Sequence, residues 1–316
     1  MSDPEVADGP FWSVLFPTYL RNSYDCDLFE RSLRSVLDQD PGRDQMEIVI
    51  VDNCSPDDLC ERLVQRLAPE RVVYHRNPTN LGLVGNFNAC LSKARGRWVH
   101  LMHHDDLLLP GFYDHLARAD REAPGAGAAF CQHAFITASG RWAAISRLER
   151  ESPGLLDDWL AQISGRQAIQ FASIVVRREV YETLGGFRTD LCFVLDWEMW
   201  VRIASRYPVW FEPTVLACYR VHAENETSRL RKARETGLDV ERAIAIVRSY
   251  LPERYHEGLG WELRRDSPAD KEPSLRAIAR ELLPPALLRV VRSARRGGGE
   301  LPAPSDLRGA AAREDG

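Results

Sequence analysis

Lysine is nearly absent from this 316-residue chain: Lys93, Lys232 and Lys271 are its only lysines, and arginine supplies the other 38 of its 41 basic residues. The skew reads as the codon bias of a GC-rich genome. Positive charge is not in excess either, since 46 acidic residues leave a formal net charge of −5. That excludes a body built to coat nucleic acid. No stretch approaches the ~18 apolar residues that a membrane span requires. Residues 1–10 are acidic and polar and lack the charged-then-apolar pattern of a signal sequence, so a cytoplasmic protein is expected. The seven cysteines (Cys26, Cys54, Cys60, Cys90, Cys131, Cys192, Cys218) are odd in number, scattered and without a CxxC pair. They read as reduced thiols, which excludes a disulfide framework and a cysteine zinc site. There is no Gly-x-Ser-x-Gly elbow for a nucleophilic serine and no internal repeat.

What is present is ordinary globular sequence: 44% hydrophobic and 28% charged residues can bury a core of two domains or of one large α/β domain. Short apolar runs at 13–16, 47–51, 71–75 and 97–102 read as strands, and helix-period segments lie between them at 27–37, 58–67 and 84–94. This order calls for a mostly parallel sheet with helices on both faces, a doubly wound, Rossmann-like half. After residue 126 the pattern changes. Strands at 128–137, 169–177, 209–211 and 215–221, a loop and short helix around 148–163, and a helix over 195–205 form a mixed second half that covers the open face of the first. The expected segments are a flexible N-terminus (1–10), two halves of one unit (11–125 and 126–228), a helical C-terminal extension (229–296) and a disordered Gly-, Ala- and Pro-rich tail (297–316).

In such sheets ligands collect at the carboxyl ends of the strands. Three polar clusters fall there: Pro17-Thr18-Tyr19, Asp52-Asn53 and His103-His104-Asp105-Asp106. Each alone can be a turn or a helix cap, but their shared position points to one site. Asp105 and Asp106 fit a hard divalent cation that bridges a diphosphate, or else a cap with a solvated neighbour. The two histidines suggest a tighter transition-metal cluster. Adjacent residues at a strand end face opposite ways, however, so convergence of all four on one ion is not expected.

A family resemblance rests on ordered motifs. Val14-Leu15-Phe16-Pro17-Thr18-Tyr19, residues 47–52 with Asn53 and Ser55, Asn80-Leu81-Gly82 with Asn86, and the run from Gly96 through His103-His104-Asp105-Asp106 to Pro110 resemble the inverting family 2 glycosyltransferases. Gly185-Gly186-Phe187, Leu195-Asp196-Trp197-Glu198 and Tyr219-Arg220-Val221-His222 before Asn225 match that family's second half. The resemblance covers about residues 11–228. It implies an α/β fold of GT-A type that binds a nucleoside-diphosphate sugar, UDP- or dTDP-linked, with a divalent cation (Mn2+ or Mg2+) between the diphosphate and the acidic motif. By position, Pro17, Thr18 and Tyr19 would line the nucleoside pocket, Asp52 would bond the pyrimidine base, and Asn80, Gly82, Asn86 and His104 would be further nucleotide-binding residues. Asp105 would hold metal and diphosphate, with Asp106 and His222 as metal residues. The first acid of the family's Asp-x-Asp-Asp run is His103 here, and the departure falls on ribose contacts more than on the metal.

Inversion needs a base opposite the leaving diphosphate. Asp196 matches the family's base position; beside Val194, Leu195 and Trp197 it is expected to be partly desolvated, with a raised pKa. Its alternative is an N-cap for the helix that follows. Glu198 should face about 100° away. Arg220 fits either charge compensation at the leaving group or a structural ion pair. Residues 148–171, with Trp159, Arg166 and Gln167, form an expected acceptor-side lid, in which Trp159 fits an acceptor contact or a packing role alike; Trp159, Trp197 and Glu198 are the acceptor-side candidates. The expected acceptor is a hydroxyl on a glycan, lipid-linked glycan, metabolite or peptide. Residues 274–296 carry six arginines against Glu281 and a leucine- and valine-rich side, which fits a peripheral membrane contact or a packed helix. The rival functions are a sugar nucleotidyltransferase, against which the lack of a Gly-rich, Lys-bearing triphosphate loop counts, and a non-catalytic nucleotide-sugar-binding module.

Overall fold

The computed structural model describes residues 9–223, 225, 227, 229–230 and 236–265. Strands β1 (Trp12–Thr18), β2 (Met46–Asp52), β3 (Val73–Arg76) and β4 (Trp98–Leu101) run parallel in the order β3-β2-β1-β4. The apolar runs of β1 and β2 are unbroken because helices cover both faces, and the period-2 alternation deals their side chains between two cores. Trp12, Val14, Phe16, Ile48 and Ile50 meet α1 (Ser23–Leu37) and α2 (Leu59–Leu67). Leu15, Val49 and Val51 enter the opposite core with Phe87 and Cys90 of α3 (Gly82–Leu91). α1 starts where Asn22 caps it, its side-chain oxygen accepting the Asp25 N–H at 3.0 Å.

The sheet continues into the second half without a break. β4 pairs antiparallel with β9 (Ile174–Arg177), which pairs antiparallel with β6 (Ala128–Thr137); β6 runs parallel to β10 (Val209–Val221), and β5 (Leu107–Leu108) closes the edge. β7 (Trp142–Ile145) and β8 (Gly154–Leu155) pair with β6 and β10. Short helices α4 (Phe112–Leu116), α5 (Arg118–Glu122), α6 (Trp159–Ile163) and α7 (Arg178–Leu184) precede α8 (Leu195–Ala204).

Two expected elements differ. The strand read over 169–177 begins only at Ile174, because Ser173 bonds back to the Gln170 carbonyl through its N–H (2.9 Å) and its hydroxyl (2.8 Å), closing a tight turn. The strands read at 209–211 and 215–221 are one strand with register shifts around Glu212 and Val215, where Thr214 donates to the Glu212 carboxylate. Gly186 is set by packing: a Cβ there would lie 2.3 Å from the Asn88 side-chain oxygen, which accepts the Phe187 N–H at 2.8 Å.

The core does not stop near residue 228. Val240, Ala243, Ile244 and Val247 of the helix Thr236–Tyr250, with Leu259 and Leu263, share a cluster with Met199, Trp200 and Ile203 of α8. The segments 274–296 and 297–316, with their membrane and disorder readings, lie outside the described residues, as does most of 1–10. Among the described residues no helix is long and apolar enough to cross a membrane.

Candidate active site

The carboxyl ends of β1, β2, β3 and β4 form one edge. Registry sets Thr18 beside Asp52 and Asp52 beside Arg76. Of the expected nucleoside-pocket residues, Pro17 and Thr18 are buried, and only Tyr19 presents an exposed side chain. Asp52 is buried with its acceptor positions filled: Oδ1 takes the Ser55 N–H (2.9 Å) and hydroxyl, Oδ2 takes the Tyr74 hydroxyl (2.8 Å) and Arg76 Nη1 (3.0 Å). A base therefore reaches this carboxylate only by displacing one of these donors. Exposed Arg76, which also donates to the Ser55 carbonyl at 2.8 Å, is a polar group facing outward there. Sequence reasoning misses Tyr74 and Arg76; alignment of the ends of β2 and β3 is the signal that identifies them.

Asn80, Gly82 and Asn86 build the wall of this edge. Asn53 donates to the Asn80 side chain (2.9 Å) and to the Gly82 carbonyl (3.1 Å), and Asn77 donates to Asn86 (2.9 Å), which donates to the Val51 carbonyl (3.1 Å). Gly82 adopts φ +72°, a conformation that favours glycine, while its N–H donates to Asn80 Oδ1 at 2.8 Å. The amide side chains are consumed in shaping the loop.

After β4 the chain turns, and three residues converge: ligand atoms of His103, Asp105 and Asp106 lie within 4.8 Å of one another. His104 stays outside the group, while the turn brings the adjacent Asp105 and Asp106 together, which alternation along a strand would not do. His222 joins through Asp105, its Nε2 lying 2.9 Å from Oδ2. Arg220 is a latch: its backbone N–H donates to Asp106 Oδ1 (2.9 Å), Nε to the Asp105 carbonyl (2.8 Å) and Nη1 to the carbonyls of Thr137 and Ala138 (both 3.2 Å). Fully buried and so engaged, it holds the acidic turn.

Burial pushes the His103 imidazole down to about 4, so it is neutral at pH 7. Burial also works to raise Asp105, but the neighbouring histidines 104, 222 and 103 outweigh it and hold the carboxyl below its usual range; Asp106 is pushed up by its own burial and by the charge of Asp105. His103 Nε2 and Asp106 Oδ2 are buried without a hydrogen-bond partner. A neutral imidazole nitrogen and an unpaired carboxylate oxygen beside a second carboxylate fit a divalent cation of the Mn2+ or Mg2+ type. The resemblance assigns Asp105, Asp106 and His222 to this role, and the sequence offers His103 either as a lost acid or, with His104, as part of a four-residue cluster; the structure groups His103 with the two acids.

The base candidate lies on α8. Asp196 is half-buried in the first turn of α8, with Oδ1 accepting the Trp197 N–H (2.8 Å) and Oδ2 accepting Gln167 Nε2. Burial pushes its carboxyl up to about 7; the Trp197 N–H and Gln167 oppose that rise, and the charge of Asp239 adds to it. Residues 167–171 link base and acidic turn, since Gln167 holds Asp196 while the Phe171 ring lies 4.6 Å from the His103 ring.

The three acceptor-side candidates are buried. Glu198 is 1% exposed, paired with Arg202 at 3.0 Å and approached by the Tyr250 hydroxyl at 3.3 Å. Trp197 is fully buried with Nε1 donating to the Ile163 carbonyl at 2.8 Å. Trp159 is 3% exposed, 5.2 Å from the Phe130 ring and with Arg166 over its face. The two tryptophans pack the core, drawn inward by their apolar area, and Glu198 is buried by its pairing with Arg202. Trp159→Ala should therefore destabilise the fold by about 3–5 kcal/mol in urea unfolding. Loss of acceptor affinity at unchanged stability would contradict the packing role.

The model of the family described as "Glycosyl transferase family 2" matches residues 13–185. The chain is 31% identical over 255 residues to the uncharacterized protein MT1568 of Mycobacterium tuberculosis (strain CDC 1551 / Oshkosh), spanning 74% of this chain and 75% of that protein. Among solved structures it resembles the mannosyltransferase PcManGT from Pyrobaculum calidifontis in complex with GDP-Man and Mn2+ (TM-score 0.60, 20% identity, 96% of this chain and 80% of that one). It also resembles S. aureus TarS 1–349 in complex with UDP-GlcNAc (TM-score 0.59, 15% identity, 81% and 71%).

Proposed function

The chain belongs to glycosyl transferase family 2 and is a glycosyltransferase with a GT-A fold, and from that premise we propose that it inverts configuration at the sugar it transfers, with Asp196 as general base. The donor is a nucleoside-diphosphate sugar, UDP- or dTDP-linked. The acceptor is a hydroxyl in a surface polysaccharide, a secondary metabolite or a peptide. The observation that carries this reading is the link through residues 167–171 between a carboxyl at about 7 and a cation-type donor set at the strand ends.

Asp196 accepts the proton of the attacking hydroxyl as the new C–O bond forms at the anomeric carbon and the bond to the diphosphate oxygen breaks on the opposite face. A pKa near 7 suits a general base, because the anion is populated at neutral pH and still binds a proton well. Gln167 and the Trp197 N–H orient the two carboxylate oxygens. Asp105, Asp106 and His103, with His222 steadying Asp105, would hold the divalent cation. When bound, that cation offsets the charge that the departing diphosphate gains. Arg220 keeps the acidic turn in shape from below, and Tyr19 and Arg76 present the polar surface for the nucleoside. Peripheral membrane contact through residues 274–296, at the cytoplasmic face, belongs to the same proposal and rests on their arginine and leucine content.

A panel of nucleotide-sugars, each offered with Mn2+, Mg2+ or a chelator, tests the reading. The expected result is cation-dependent hydrolysis of a UDP- or dTDP-sugar, the first-formed sugar having inverted anomeric configuration by proton NMR. Retention of configuration, or equal turnover under chelator, would overturn it.

A further inference from the structure

We infer that Asp239, on a helix beyond the span of the matched family model, is a positioning residue that holds the turn presenting Asp196 and sets the charge around it; this rests on Asp196 being the base. α8 brings no side-chain cap of its own: Val194 stands at its N-cap without one. The cap comes from elsewhere. The Asp239 carboxylate, 4% exposed, accepts the backbone N–H groups of three consecutive residues, Cys192 (3.1 Å to Oδ1), Phe193 (2.7 Å to Oδ2) and Val194 (3.1 Å to Oδ2). Successive N–H groups aimed at one anion, at the positive end of a helix, form a strong anion seat. These three residues lead directly into Leu195 and Asp196, so the anchor fixes where the base sits.

The same carboxylate acts electrostatically. Asp239 is the charged neighbour acting on Asp196, and its negative charge favours the protonated form. Among the described residues, Gln167 is a neutral donor, α6 is composed of Trp, Leu, Ala, Gln and Ile, Arg178 and Glu182 of α7 pair with each other, and on α8 itself Glu198 is turned to Arg202 and Tyr250. The helix Thr236–Tyr250 thus contributes one buried carboxylate to the site in addition to its apolar face.

Asparagine at 239 can keep its oxygen on Phe193 and Val194 while removing the charge; alanine removes both. The test titrates the full chain labelled with carbon-13 at aspartate carboxyls, with the Asp196 resonance assigned by its loss in Asp196→Asn. In Asp239→Asn the midpoint of Asp196 should move to lower pH, by at least about a twofold change in proton affinity. Turnover of the donor found in the nucleotide-sugar panel should then keep its plateau while its acid limb shifts the same way. In Asp239→Ala kcat should fall at least about tenfold with donor KM within about twofold. If Asp239→Ala fails to fold, the Asp239→Asn titration decides. An unmoved Asp196 midpoint in Asp239→Asn overturns the inference, since a purely structural anchor would lower the melting temperature and leave the midpoint alone. Full turnover in Asp196→Asn would instead overturn the base reading, and a shifted midpoint would still establish the contact between the two carboxyls.

Discussion

Asp196→Asn is expected to lower kcat by roughly 10³-fold, within the range of about 10²–10⁴ typical of a positioned general base, while leaving donor affinity nearly unchanged. Asparagine preserves the shape and the hydrogen bond from the Trp197 N–H, so the fold and the neighbouring pocket survive. What it removes is the capacity to accept a proton. The pH profile of the parent enzyme carries the same information. With the Asp196 carboxyl at about 7, the reactive anion is the minor form at pH 6 and the major form at pH 8, so log kcat should rise with unit slope below about pH 6, bend at pH 7 and level off above it. The sign follows from burial, which penalises the charged form and lifts a carboxyl toward neutrality. A profile flat from pH 5 to 8, or an Asp196→Asn variant with parental kcat, would remove Asp196 from the chemistry.

The first half of the fold is legible in the sequence because its physics is local. The runs at 13–16, 47–51 and 97–102 are strands buried on both faces, and their apolar continuity and spacing survive folding unchanged. Asp196, Asp105 and Asp106 are legible from ordered motifs, each placed at an element end. What escapes depends on contacts remote in sequence. Trp159, Trp197 and Glu198 read as acceptor-side groups because a sequence does not say which way a helix face turns; burial against Phe130, Ile163 and Arg202 decides it. Asp52 reads as a cap or, by the resemblance, as a partner of the base, and the sequence does not show that Ser55 with Tyr74 and Arg76 on the adjacent strand fill its lone pairs. His103 reads as a lost acid or as one of four clustered residues, and the turn after β4 groups its ring nitrogen with Asp105 and Asp106 while leaving His104 out. Asp239 leaves no local mark: it is an acid in the first turn of a helix, an ordinary placement, and its partners are backbone N–H groups that no side-chain pattern announces.

Asp105→Ala should cost the enzyme its cation-dependent nucleotide binding and at least about 10³-fold in turnover, without unfolding it. Asp105 is the hub of the acidic turn, bonded to His222 Nε2 and lying within ligand distance of His103 and Asp106. Its backbone carbonyl, which Arg220 grips at 2.8 Å, is untouched by the substitution, so the turn keeps its latch. Removing one of two adjacent buried carboxylates also relieves like-charge repulsion, and the variant alone should melt no more than a few degrees from the parent. The contrast lies in the ligand response. A cation and UDP that bind only the folded parent raise its stability by about 2.7 kcal/mol at a hundredfold excess over Kd, a shift of several degrees for a chain of this size. In Asp105→Ala that shift should vanish for Mn2+ with UDP. His222→Ala, which leaves the three converging residues intact, should keep a reduced shift. A parental Mn2+-dependent shift in Asp105→Ala would show that the cation binds away from the acidic turn, since no arrangement of His103 and Asp106 alone supplies the charge that two carboxylates provide.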